Sequence, residues 1–600
     1  MAGQVASLLK LPGRPNDPVR QAMAANKPLF TAAFAFSAAM SVLALTTSFY
    51  MLQVYDRVLA SHSIETLILL TIIATGAIMV FAALDALRLR LLQRLGMRIA
   101  SELAPHVLRA MISISSRSGG LVSRSGLRDV DTIRNFIGSP AFGSLLDAPF
   151  VFVYFFVLFM LHWVYLAIVL IGGGLLILLA VVNQRSTNTP LSESIGQQAR
   201  AHEFAENGLR NSDVLEGMGM SSSFVGRWRK HWIRSLERST VATDRDSRWS
   251  SMSRGLRLLM QIILLGAGAL LILDFQATGG IMIGASIIGA RALAPIEAIV
   301  ATWKSVLAVR LAWERLIDLL EKEPKRDEGM ALPAPKGHLQ AIGVRYSIPA
   351  TPRYKDILLR VDFELMPGES LGIIGPSASG KSTLLRLLIG AWRCTDGIVR
   401  LDGADIYTWP RTELMHYMGY VPQDVELFSG TVRDNIARMS EGDPDGVVEA
   451  AKLARVHEMI LRLPKGYDTE LGDGGHRLSG GQSQRIAIAR ALYGDVKLLV
   501  MDEPNSNLDS EGEQDLLMSL ADLKKRGVTV VIVAHRPSIL QGADKILVLN
   551  AKGEVANFGP RATVLQKYMV QPARPGGAPS TSPTVVPLGP TIAGGTDSKQ

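Results

Sequence analysis

Apolar residues in this chain gather into six long runs, at roughly Leu29 to Leu52, Leu67 to Leu87, Phe142 to Leu161, Val164 to Val182, Leu256 to Leu273 and Ile281 to Val300. Each approaches the ~20 residues a helix needs to cross a bilayer. The pattern therefore predicts six transmembrane helices. The links between the runs alternate in length. His162 and Trp163 barely part the third run from the fourth, and Gln276 to Gly280 barely part the fifth from the sixth. Arg88 to Pro140 and Asn183 to Arg254 are long and rich in Arg, Glu and helix formers, which predicts helices that run on beyond the bilayer and turn there. Cations set the orientation: Lys10, Arg14, Arg20 and Lys27 precede the first run, and Arg88, Arg90, Arg94 and Arg98 follow the second. Gln53 to Thr66 carries little positive charge, so both termini and the long links are expected in the cytoplasm.

Beyond the sixth run the pattern changes. Charges and Pro324, Pro333 and Pro335 interrupt the helical period between Glu321 and Pro335. The remainder of the chain has the charge, glycine and turn content of a soluble α/β domain. The expected organisation is a cytoplasmic N-terminal segment over residues 1–28, a six-helix transmembrane domain over 29–320, a linker over 321–336, a soluble domain over 337–566 and a tail over 567–600. That tail is rich in Pro, Gly, Ser and Thr and lacks the apolar surface to order itself, so it is expected to be flexible. A chain of 600 residues exceeds one core in any case.

Bulk composition removes several function classes. The 63 Lys and Arg outnumber the 54 Asp and Glu, but the arginines crowd beside the apolar runs, so no nucleic acid is expected as a partner. Cys394 stands alone, which excludes an intramolecular disulfide and a cysteine-rich metal site. The polar first residues lack the short apolar core and cleavage site of a removable signal peptide.

The chemistry lies in the soluble half. Gly375-Pro376-Ser377-Ala378-Ser379-Gly380-Lys381-Ser382 joins a predicted strand, Leu371 to Ile374, to a predicted helix, Ser382 to Ile389, with Thr383 in its first turn. Backbone N–H groups of such a loop and the positive end of the helix cradle the phosphates of ATP; Lys381 reaches the β and γ oxygens and Ser382 ligates Mg2+. A second buried strand, Val496 to Met501, ends on Asp502 and Glu503. Asp502 is placed beside the magnesium, and Glu503 is placed to orient or deprotonate the attacking water. Gly527 to Ala534 reads as a third strand and ends on His535. Leu478-Ser479-Gly480-Gly481-Gln482 opens another helix and forms an anion site that the phosphate loop of the same chain does not need.

This set resembles the ATPase domain of ABC transporters over about Gly337 to Gln566, which makes the expected fold an α-helical six-span transmembrane domain of the ABC exporter type plus an α/β P-loop nucleotide-binding domain. The resemblance implies that Gln423 is the Q-loop glutamine, serving magnesium and catalysis, that Asp509 is the D-loop aspartate, and that His535 is the switch histidine at the γ-phosphate. It implies that two such domains sandwich two ATPs, each phosphate loop facing the other copy's Ser479, Gly480, Gly481 and Gln482. One chain carries one ATPase domain and six helices, so a homodimer is expected. Asp473-Gly474-Gly475 resembles the X-loop of exporters. The family's adenine-stacking aromatic is replaced by Ile348, with Tyr346 and Tyr354 nearby.

The membrane half resembles a narrower family. Met51-Leu52-Gln53-Val54-Tyr55-Asp56-Arg57-Val58-Leu59, Asp147-Ala148-Pro149-Phe150 and Arg291-Ala292-Leu293-Ala294-Pro295-Ile296 are similar to the permease and ATPase component of type I secretion systems, in the protease-exporting branch. That implies an inner-membrane exporter of unfolded polypeptides with uncleaved C-terminal signals. The implied partners are a periplasmic membrane fusion (adaptor) protein, an outer-membrane channel of the TolC type, the secreted protein and the lipid bilayer. A lipid or small-molecule exporter of the same architecture is the alternative. Among ionisable residues near or within the spans, Asp85, Asp147, Asp274, Arg291 and Glu297, the first and third, Asp85 and Asp274, are read at interfaces, while Arg291 and Glu297 around Pro295 are the candidates for a polar path, with pairing between helices the stronger reading. Gly280 and Gly284 are read as permitting close helix packing, and Phe150 to Phe159 as a lipid-facing or packed stripe.

Overall fold

The computed structural model describes residues 24–117, 126–323, 332–348, 355–472, 478–534 and 536–569. The chain divides into two compact units, Met1–Pro324 and Lys325–Gln600.

The first unit contains six helical segments long and apolar enough to cross a membrane: Lys27–Ser61, Ile64–Ser116, Pro140–Leu161, Trp163–Arg210, Ser221–Leu273 and Gly279–Lys322. Within the first segment, α1 (Lys27–Leu43) and α2 (Thr46–Gln53) lead into one turn of π-helix at Val54–Val58. The second is α3 (Ile64–Arg117), followed by α4 (Gly126–Ile137). The third joins α5 (Pro140–Asp147) to α6 (Val151–Leu161), and α7 (Trp163–Arg210), the short α8 (Ser212–Gly217), α9 (Ser221–Leu273) and α10 (Gly279–Lys322) complete the unit. Helices do continue past the apolar runs: α3, α7 and α9 are 54, 48 and 53 residues long. Far from the apolar stretches, α7 and α9 stay in register through reciprocal hydrogen bonds, Ser194 Oγ to the Ser235 carbonyl at 3.0 Å and Ser235 Oγ to the Ser194 carbonyl at 3.2 Å.

Most intramembrane charge is spent on helix pairing. Arg88 of α3 is buried and donates to Asp147 at 2.5 Å, to Asp85 at 2.9 Å and to Ser37 Oγ at 3.0 Å, so three segments share one cation. Glu297 of α10 pairs with Arg257 of α9 at 2.9 Å. Asp274 is exposed, one residue past the end of α9. The glycine pair packs as its spacing suggests: a Cβ on Gly280 would lie 2.6 Å from the Asp56 carboxyl and the Leu52 carbonyl, and one on Gly284 would lie 3.5 Å from the Ser48 carbonyl. Phe152, Phe156 and Phe159 point outward while Tyr154 and Leu158 are buried, which makes α6 half lipid-facing and half packed.

The second unit is built on two main sheets. A four-stranded sheet has the order β2-β1-β4-β5, from β1 (Leu339–Ile348), β2 (Lys355–Leu365), β4 (Asp396–Leu401) and β5 (Ala404–Asp405). A six-stranded sheet has the order β12-β11-β3-β10-β9-β6. Its strands are β3 (Ser370–Ile374), β6 (Met418–Val421), β9 (Leu498–Asp502), β10 (Thr529–Val533), β11 (Lys545–Leu549) and β12 (Val555–Pro560). All but β12 run parallel. Continuous apolar runs such as Leu498-Leu499-Val500-Met501 are what a parallel strand covered on both faces requires, and β9 and β10 are buried at every position.

Candidate active site

In open parallel sheets, ligands bind beyond the carboxyl ends of the strands. That edge collects the predicted residues. β3 runs into the glycine-rich loop and α11 (Lys381–Leu388), β9 ends at Asp502, β6 ends just before Gln423, and β10 ends just before His535. The register places Val533 beside Asp502 and Val421 beside Met501, so three strand ends lie side by side. His535 itself lies outside the described residues, as do Asp473-Gly474-Gly475 and Tyr354.

The loop is shaped by backbone conformations that side chains seldom adopt. Gly380, the N-cap of α11, has φ of 90°, and a Cβ there would meet Leu358 Cδ2 at 2.8 Å. Ala378 also has positive φ, at 64°. Lys381 is buried and folds back over the loop, donating from Nζ to the carbonyls of Gly375 at 3.0 Å and Pro376 at 2.9 Å. Pro376, Ser377 and Ala378 are exposed along the rim, Ser379 is buried, and Ser382 and Thr383 are half-buried in the first turn of the helix.

The surroundings of Asp502 perturb its carboxyl. Burial pushes its carboxyl above the ordinary range; the hydrogen-bonded Ser382 hydroxyl draws it down, nearby Glu503 raises it, and Arg386 and Lys381 lower it. Its Oδ1 is buried with no hydrogen-bond partner, and so is Ser379 Oγ in the adjacent loop. An unmatched buried carboxylate oxygen beside a hydroxyl is a donor set for a hard dication, which prefers oxygen ligands. Glu503 comes next with φ of 50°, its N–H held by the Val533 carbonyl at 3.0 Å. Gln423 is exposed at the end of β6.

The signature turn forms a separate feature. Ser479 caps α14 (Gly480–Leu492) in a reciprocal capping box: Gln482 N donates to Ser479 Oγ at 3.3 Å and Ser479 N donates to Gln482 Oε1 at 2.9 Å. Gly481 allows the chain after β9 to pass close by, since a Cβ would lie 2.9 Å from the Asn507 carbonyl. Asp509 caps α15 (Ser510–Lys525), accepting from Gly512 N at 2.8 Å and from Arg485 of α14 at 2.8 Å. The Gly512 N–H and then Arg485 hold its carboxyl below the usual range. No hydrogen bond among the described residues joins this turn to the glycine-rich loop.

Three contributors carry no motif of their own. Buried Gln484 donates to the Pro504 carbonyl at 3.0 Å, tying α14 to the segment after Glu503. Tyr346 stacks on Trp392 with centroids 5.1 Å apart, so its ring is engaged within the domain, while Ile348 is partly exposed. Arg438, half-buried and without a carboxylate partner among the described residues, donates to the carbonyls of Met415, of Arg490 at 2.9 Å and of Ala491 at 3.0 Å, closing the end of α14. Only the side-chain spacing of Gln482 after Ser479 carried a readable signal for any of this wiring.

The family model for the ABC transporter domain covers residues 358–506, and that for the ABC transporter transmembrane region covers residues 30–288. The chain is 40% identical over 538 residues to the type I secretion system ATP-binding protein PrsD of Rhizobium meliloti (strain 1021), spanning 89% of this chain and 91% of that one. It is 31% identical over 562 residues to the leukotoxin translocation ATP-binding protein LktB of Mannheimia haemolytica, spanning 90% of this chain and 77% of the relative. The fold is shared with a bacterial Atm1-family ABC exporter solved with ATP bound, at a TM-score of 0.80 and 22% identity over 91% of this chain. The chain thus belongs to the ABC transporters, multi-pass membrane proteins that couple ATP hydrolysis to transport, and within them to the group of type I secretion system ATP-binding proteins.

Proposed function

We propose that this chain is the inner-membrane engine of a type I secretion system and exports unfolded polypeptides as a homodimer, with its termini in the cytoplasm. The observation that carries the reading is the 40% identity to PrsD across nearly the whole of both chains, membrane half included. Its partners on this reading are a periplasmic adaptor, an outer-membrane channel and a secreted protein.

In the proposed cycle, ATP lies against the loop from Gly375 to Ser382, with Lys381 on its β and γ oxygens and the Gly380 turn admitting the phosphates to the start of α11. Ser382, Asp502 and Gln423 would hold Mg2+, whose charge offsets that of the phosphates; the bare Oδ1 of Asp502 fits that role. Glu503 orients the attacking water and accepts its proton, and His535 stands at the γ-phosphate. Ser479, Gly480, Gly481 and Gln482 close over the nucleotide of the other copy, with Asp509 bracing α14 through Arg485. Binding closes the pair and moves the membrane helices, and phosphate release resets them.

The test is hydrolysis by the homodimer reconstituted in lipid. A peptide copying the C-terminal segment of a type I secreted protease should stimulate turnover, and added lipid or apolar small molecules should not. Stimulation by lipid with none by the peptide would replace this reading with lipid or small-molecule export.

A further inference from the structure

Among the described residues, Arg291 is an intramembrane charge that is not used for helix pairing. Arg291 stands about 18 Å along α10 from Gly279 at 1.5 Å per residue, within the sixth apolar segment. Its side chain is exposed, and no ion pair or hydrogen bond joins it to any described residue, whereas Arg88 and Arg257 are both paired. It lines a cavity of about 260 Å³ with Met40, Ser41, Phe81, Asp147 and Tyr154.

A cation at this depth is costly and persists where it faces water or an anion. Asp147, on the same cavity, is committed to Arg88 at 2.5 Å. The Asp85–Arg88–Asp147 trio carries one negative charge in excess, which offsets Arg291 at a distance and leaves its N–H donors open. A guanidinium presents those donors as a planar fork that matches a carboxylate and no apolar group. Phe81, Tyr154 and Met40 on the walls suit the apolar neighbours of such a carboxylate in an extended chain.

On the reading that the cargo is a polypeptide, we propose that Arg291 is a carboxylate-binding contact in the transport path, holding an acidic side chain or the chain end of the passing polypeptide in this cavity. Glu297, one of the two charges flanking Pro295, serves structure through Arg257; Arg291 serves the cargo.

The experiment uses the nucleotide-free homodimer in nanodiscs of zwitterionic lipid and three labelled peptides sharing one apolar and polar pattern. The first has Glu side chains and an amidated end, the second Gln side chains and a free end, the third Gln side chains and an amidated end. At least one of the two carboxylate-bearing peptides should bind about tenfold more tightly than the neutral one. Whichever does so names the source, side chain or chain end. Arg291→Gln should bring all three affinities within about twofold, and Arg291→Lys should keep part of the preference. Equal affinities in the unaltered protein, or a preference that survives Arg291→Gln, would overturn the assignment while leaving polypeptide export standing. Failure of all three to bind or to stimulate hydrolysis would remove the export reading, and the assignment with it. A benzophenone placed beside the Glu of the first peptide checks position in the unaltered protein. Crosslinks should fall on Phe81, Tyr154 or Ala298, and crosslinks confined to residues outside the membrane unit would refute the placement.

Discussion

Glu503 has a backbone conformation where few side chains settle, at φ of 50°, and its N–H donates to the Val533 carbonyl at 3.0 Å. Such strain persists only when the surroundings impose it, and here the last residues of β9 and β10 impose it. The backbone of Glu503 is thereby fixed one residue beyond Asp502, whose Oδ1 is buried and unmatched. Glu503→Gln preserves shape and removes the proposed proton acceptor, so single-turnover hydrolysis should fall by roughly a hundredfold or more while ATP affinity stays within a few-fold. Near-normal turnover would deny Glu503 its role. Lys381→Ala is expected to act on the other quantity, weakening ATP binding by about tenfold in a titration, because it deletes a charge-assisted contact. Both residues were legible as a spacing of motif and strand. Arg438 was not: three carbonyl acceptors supplied by distant segments leave no pattern in sequence, though burial holds its guanidinium down to about 10.

Among elements, the π-turn at Val54–Val58 shows what apolar patterning cannot reveal. The spans were readable because their apolar length is dictated by the bilayer, and the long helices because their links are rich in helix formers. Val54-Tyr55-Asp56-Arg57-Val58 carries no breaker, and its widened turn has a tertiary cause. Asp56 points from it to the start of α10, accepting from Thr278 Oγ1 at 2.5 Å and from Gly280 N at 2.8 Å. It supplies a carboxylate to a helix N-terminus 224 residues away in sequence, which makes it a cap delivered by another helix. Asp56→Ala should lower stability by about 1–2 kcal/mol in thermal unfolding of the lipid-embedded protein, and Asp56→Asn by less. An unchanged unfolding temperature for Asp56→Ala would show the contact to be incidental. The strands Leu371 to Ile374, Val496 to Met501 and Gly527 to Ala534 were placed to within two residues or so of β3, β9 and β10, because parallel strands covered on both faces must be uniformly apolar.

At the scale of the whole molecule, the nucleotide-binding unit presents a glycine-rich loop on one feature and a capped, anion-ready helix start on another, with no hydrogen bond between them among the described residues. This fits the proposal that two chains complete each other's sites. The sequence suggested it through motif count, one loop and one signature turn per chain, but the wiring that fixes α14 through Gln484, Arg485 and Arg438 emerged only from packing. The most direct measurement is a crosslink across the proposed composite site. With Cys394 replaced by Ser, cysteines introduced as Ser377→Cys and Ser479→Cys in the Glu503→Gln background should form, on mild oxidation with ATP, a disulfide-linked dimer that runs at twice the mass of the chain and fades without nucleotide. A chain that remains monomeric under those conditions, or that closes the disulfide within itself, would contradict the account.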